Sequence, residues 1–134
     1  MIARRVGTLR YGVYAAASCS ARSAAMLPWV TYDEALAHLP QAHWIAMNAA
    51  RQNEIIAGAR VEDAEPLLEA VAAGLGRSLL PSAVADGDAR LRRLSTERGT
   101  PLPARELWLL THSEIERLGR IEAVVEWIKG IAPR

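Results

Sequence analysis

The stretch AVAAGLGRSLLP, residues 70–81, constrains the fold of this chain more than any other. It combines a helix end, two closely spaced glycines, a short apolar run and a proline. Glycine just past a helix supplies the left-handed backbone that ends it tightly, and proline stops a strand by removing a ladder donor. The residues upstream agree. Asp63 is a good N-cap, and Pro66 falls in the first turn, where proline is tolerated. Leu67, Leu68, Val71 and Leu75 share one narrow arc, with Glu65 and Glu69 facing away from it. The spacing predicts a helix from Asp63, a reversal with left-handed backbone at Gly74 and Gly76, and a strand over Arg77–Pro81.

The rest of the chain repeats this alternation. Val6, Leu9, Tyr11 and Val13 predict a strand over residues 5–16, and the SCSARSAA segment predicts one or two helical turns capped by Ser18. A short strand is expected at Pro28–Tyr32, a helical turn from Asp33, and a helix over residues 41–51 carrying Trp44 and Met47. NEIIAGARVED predicts the next strand, with Gly58 marking a bulge. DGDARLRRLSTERGTPLPA reads as a charged loop, and RELWLLTH as a late strand. Ser113 and Glu116 form a capping box for a last helix reaching about Gly130. Strands alternating with helices predict an α/β domain with a mostly parallel sheet flanked by helices.

The 134 residues suit one domain, and a chain of this size buries enough surface to fold without disulfides or metal. A net charge of +1 gives no electrostatic case for nucleic acid or an anionic membrane. The apolar run after the first arginines is broken by Gly7, Arg10 and Gly12, which argues against a signal peptide. No segment has the length and apolarity of a membrane span. The single cysteine, Cys19, fits a reducing compartment, so the cytoplasm is the expected location.

Catalytic patterns are missing. The sequence has no GxSxG, P-loop or HExxH, and GLGRS runs from helix into strand, opposite to a dinucleotide fingerprint. His38, His43 and His112 lack metal-ligand spacing, so no metal and no cofactor is expected. Glu62, Asp63, Glu65 and Glu69 are better explained by the positive end of a helix dipole than by acid/base chemistry. An enzymatic role is not expected.

The run ARVEDAEPLLEAVAAGLGRSLLPSAVADGDARLRRL resembles the effector-binding domain of LysR-type transcriptional regulators, and PLPARELWLLTH resembles that family's closing strand. RRVGTLRYGVYAAAS resembles its crossing strand into the second lobe, and PWVTYDEALAHLPQAHWI fits the segment that follows. The resemblance implies one lobe of a periplasmic-binding-protein-like (type II) fold. It places the second lobe from about residue 10 to 105, and the returning strand and final helix from about 105 to 131. On that reading the chain is a partial effector domain with no DNA-binding domain and no direct nucleic-acid contact. It would be a ligand-sensing regulatory fragment that binds a small-molecule effector weakly when alone.

In such two-lobed folds ligand sits in the cleft between lobes. The resemblance therefore points to Glu62, Asp63 and Ala64, at the strand-to-helix turn, as effector contacts. Glu62 and Asp63 stand where the family often carries Asn or Ser, and two carboxylates repel an anion. Tyr11 and Tyr14 on the entering strand are further candidates, with a core or strand-surface role as the competing reading. Leu118, Ile121, Val124, Val125 and Ile128 form one stripe of the final helix. Leaving five such side chains in water forfeits on the order of 10 kcal/mol, comparable to the stability of a whole domain. The stripe must fold back on its own lobe or dock on another copy, and the expectation is a homodimer or higher oligomer. An alternative function is a ligand-free module that pairs with itself or with a full-length regulator.

Overall fold

The computed structural model describes residues 2–96 and 101–111. A long strand, β1 (Ile2–Ala16), contributes to two compact units. Among the described residues, the first unit pairs Ile2–Arg10 antiparallel with the last strand, β6 (Ala104–Thr111), with a register irregularity between Arg5 and Gly7. The second unit, Tyr11–Pro103, contains the remaining elements.

In that second unit the chain runs through α1 (Ala21–Ala24), β2 (Trp29–Tyr32), a 3₁₀ turn (Glu34–Leu36) and α2 (Pro40–Gln52). It continues through β3 (Ile56–Val61), α3 (Ala64–Ala72), β4 (Ser78–Pro81), α4 (Ser82–Ala85) and β5 (Leu91–Leu94). Local chemistry explains most boundaries. Ser20, not Ser18, caps α1 by accepting from the Ser23 N–H at 3.1 Å. Asp33 and Asp63 accept from the N–H of the next residue, each at 2.7 Å. Pro40 starts α2, and Asn53 ends it in the left-handed conformation at φ 53°. β2 and β3 are parallel, and their register shifts between Trp29 and Thr31, opposite the segment of β3 that contains Gly58.

The helix-to-strand reversal works through two different properties of glycine. Gly74 has φ +87° and ends α3 as expected. Gly76 does not have positive φ; it is needed because a Cβ there would lie 2.5 Å from the Pro28 carbonyl oxygen. That approach lets Arg77 N–H donate to Pro28 O and Val30 N–H donate to Arg77 O, both at 2.9 Å. The parallel bridge Trp29↔Arg77 therefore sets the start of β4 beside β2.

The sheet is not mostly parallel. β1 lies between β4 and β5 and is antiparallel to both, with Tyr14 opposite Ser78 on one side and Arg93 on the other. A parallel connection needs a crossover of a dozen or more residues, which α2 and α3 supply and the single turn α4 does not. Parallel pairing is thus confined to β2, its neighbour β3 and the bridge to β4. The core joins Tyr14, Val30, Leu67, Val71 and Leu80, all buried, with Ile45 of α2 fully enclosed. Leu75 is not part of it and is 61% exposed, because the helix ends before reaching it.

Candidate functional site

The expected effector contacts sit where β3 hands over to α3. Glu62, Asp63 and Ala64 are exposed. Asp63 has an extended backbone at φ −152° and ψ 165°, which turns its carboxylate onto the Ala64 N–H. Tyr11 lies opposite Pro81 at the carboxyl end of β4, the end of the parallel strands at which β3 also finishes. Its ring is buried at 5% exposure. Tyr14, three residues further along β1 and so on the opposite face of the strand, is 1% exposed and belongs to the core. Its hydroxyl donates to Asp86 Oδ1. Burial first, and then that hydrogen bond, push the Tyr14 phenol above its ordinary pKa. The structure therefore gathers Glu62, Asp63 and Ala64 into one turn, and places both tyrosine rings inside. Leu118, Ile121, Val124, Val125 and Ile128 lie outside the described residues.

The amino ends of the same strands hold a different arrangement, which sequence reasoning missed. A cavity of about 430 Å³ opens there, lined by Trp29, Trp44, Glu54, Arg77, Arg92 and their neighbours, all within the Tyr11–Pro103 unit. Its polar centre is Glu54. Oε1 accepts from Trp29 Nε1 and Asn48 Nδ2, each at 3.3 Å, and Oε2 accepts from Arg77 Nη2. The Arg77 guanidinium also lies 4.5 Å from the centroid of the Trp29 ring. Trp44 meets Trp29 edge-to-face at 5.7 Å and 70°, and its own Nε1 donates to Pro101 O at 2.9 Å.

Each side chain reaches this cavity for a local reason. Trp44, Asn48 and Gln52 recur at helical spacing along α2. Glu54 follows the left-handed turn at Asn53, and Arg77 follows the close approach of Gly76 to Pro28. Arg92 comes from β5, a strand hidden in what the sequence suggests is loop; it stands opposite Ala15, on the same face as Val13, while Arg93 turns to the other face, where a Cβ on Gly12 would stand 3.0 Å from its Nε. The only sequence signals were the Trp44–Asn48–Gln52 spacing and an arginine directly after the glycine pair.

Nothing in either arrangement resembles a catalytic centre. Among the described residues no group of histidine, cysteine and acidic side chains is placed to hold a metal ion. No described helix is long and apolar enough to cross a membrane. The two ends differ in character, with an acidic turn at one and an arginine- and tryptophan-lined cavity at the other.

The family model described as LysR substrate binding domain matches residues 1–132. The chain belongs to that family. Members of the LysR substrate binding domain family are regulatory proteins, not enzymes. Solved structures agree on the fold. The reduced regulatory domain of OxyR2 from Vibrio vulnificus matches with a TM-score of 0.59 at 15% identity, over 98% of this chain and 65% of that one. The regulatory domain of CcmR from Synechocystis, in complex with 2-PG, matches with a TM-score of 0.61 at 12% identity, over 99% and 69%. The C-terminal domains of a LysR family protein from Agrobacterium tumefaciens match with a TM-score of 0.56 at 22% identity, over 99% and 69%. The LysR-family chain described here thus spans about two thirds of the length of those regulatory domains, 65% in the OxyR2 case. No curated protein matches it.

Proposed function

We propose that this chain is the ligand-sensing part of a LysR-type transcriptional regulator of the cytoplasm, and that it binds a small metabolite at the β3–α3 turn. The family match over residues 1–132 carries this reading. The 2-PG held by the CcmR regulatory domain supports a small-molecule effector in principle. The turn itself supports the position, because Glu62, Asp63 and Ala64 are exposed together at the carboxyl end of a parallel strand. Tyr14 packs in the core cluster that holds Leu67 of α3 and has Val61 of β3 packed against it, and Tyr11, also buried, stands opposite Pro81 at the end of β4. Glu62 and Asp63 offer acceptors and negative charge, so the effector is one that donates hydrogen bonds, an amine or a polyol, and not a free carboxylate.

A thermal-shift screen of amino, polyol and carboxylate metabolites on the 134-residue chain tests this. Stabilisation by an amine or polyol, lost in the Glu62→Gln/Asp63→Asn double variant, is the expected result. A stabilising ligand that ignores both substitutions would move the site elsewhere. In the same reading the chains pair through the apolar stripe from Leu118 to Ile128, which supports a homodimer. Sedimentation equilibrium across a concentration series checks it, and a strict monomer at micromolar concentration would overturn the pairing.

A further inference from the structure

The cavity at the amino ends of β2, β3 and β4 lies at the far end of the strands from the β3–α3 turn. β3 alone is six residues long, so the two are separated by about 20 Å. We infer that this cavity is a second ligand site, and that it takes a small aromatic carboxylate.

Three independent features of the lining select that class. The first is charge. Arg77 and Arg92 face the cavity with Glu54 as the one acidic residue in the lining, and Glu54 is already engaged by Arg77, Trp29 and Asn48. Arg92 makes no ion pair among the described residues. Arg93, next along β5, turns to the other face of the strand, where its guanidinium lies 5.9 Å from the Tyr14 ring centroid and pairs with Asp86 at 3.4 Å. The cavity therefore holds an excess of positive charge, and an anion entering it meets the guanidinium of Arg92.

The second feature is an unpaired donor. Arg77 is 8% exposed, and its Nε is buried without a hydrogen-bond partner. A buried donor left unsatisfied is costly, and an arginine fork matches a carboxylate in shape. The third feature is aromatic. Trp44 is half-buried and stands edge-to-face on Trp29, and its indole is held in place by Pro101. That pair gives a flat ligand a rigid wall to lie against. The volume of about 430 Å³ is at the lower end for ligand sites and suits a body of one or two rings.

The test compares 2-naphthoate with its neutral counterpart 2-naphthamide, by titration calorimetry on the whole chain. Indole N–H resonances followed in a ¹H–¹⁵N spectrum locate the binding. The acid is expected to bind about tenfold or more tightly than the amide, the size of one charge-assisted hydrogen bond. The Trp29 and Trp44 indole signals should shift during the titration while that of Trp108 stays. Arg92→Gln is expected to weaken the acid about tenfold and leave the amide alone. Arg92 is exposed, so this change strands no buried charge. Arg60→Gln removes the same charge near the other end of β3 and should leave both affinities within about twofold. Equal binding of acid and amide would overturn the inference. So would stationary Trp29 and Trp44 signals, an Arg92→Gln variant that binds the acid as well as the parent, or no saturable heat at about 5 mM acid. The acid–amide comparison on the unmodified chain stands even if a variant does not fold.

Discussion

Replacing Gly76 by alanine adds one methyl group at the tightest point of the molecule. That carbon would sit 2.5 Å from the Pro28 carbonyl oxygen and 2.7 Å from Val30 Cγ2. The first neighbour is backbone and cannot rotate away, so the strands must separate. Relieving an overlap of this kind costs about 1–3 kcal/mol. Separation also stretches the two hydrogen bonds that bridge Pro28, Arg77 and Val30, each worth about 0.5–1.5 kcal/mol net. The sum is about 2–6 kcal/mol, a large share of the stability of a domain this size. With a urea m-value of about 2 kcal/mol/M, the unfolding midpoint should fall by about 1–3 M. Gly58→Ala is the control, since nothing lies within 4 Å of its added carbon; it should move stability by less than about 0.5 kcal/mol. Because Arg77 is displaced with the strand, the Gly76 variant should also shift the Trp29 indole resonance. A Gly76→Ala midpoint within error of the parent would refute the close-approach argument, and with it the reason given for the second glycine.

Other outcomes follow from the same contacts. Glu54→Gln leaves the Arg77 guanidinium buried without its counter-charge and should cost about 3–5 kcal/mol in urea unfolding, whereas Arg77→Met, which removes the buried charge instead, should cost less. Arg90 holds the carboxylates of Glu69 and Asp88 below their ordinary pKa by donating hydrogen bonds to both. A depressed folded pKa contributes stability above the unfolded value and loses it as pH falls through the folded one, so Arg90→Gln should flatten the acid limb of a stability–pH curve below about pH 4.5. The Tyr14 phenol is raised by burial and by Asp86, so its contribution is intact below the ordinary tyrosine pKa and disappears as pH climbs through the folded value. An ultraviolet titration of the parent against Tyr14→Phe should show the loss of a tyrosine that titrates above the ordinary range, and stability should drop by about 1 kcal/mol.

The sequence by itself determined whatever depends on neighbours a few residues apart. The α2 and α3 helices, the helical turn at Asp33, the cap at Asp63, the short strands after α2 and α3 and the β3–α3 turn with Glu62 to Ala64 were all legible. Each is fixed by periodicity, capping chemistry or glycine and proline punctuation. The resemblance of the glycine-containing turn to LysR effector domains was legible for the same reason, and the family match agrees with it. Tertiary structure decided the rest. The direction of β1 relative to β4 and β5 depends on which strands meet, and no local pattern encodes that. β5 carries Arg92 and Arg93 between two leucines and reads as loop; it is a strand because β1 offers an open edge for pairing. Tyr11 and Tyr14 have the strand position expected of them, yet only packing shows that both rings are buried. The cavity was the least legible feature. Trp29, Trp44, Glu54, Arg77 and Arg92 come from five separate segments, and they converge because Gly76 lets one strand press against the backbone of another. Local sequence fixes short-range backbone geometry. The site depends on long-range contacts, whose energy appears only when the chain is assembled.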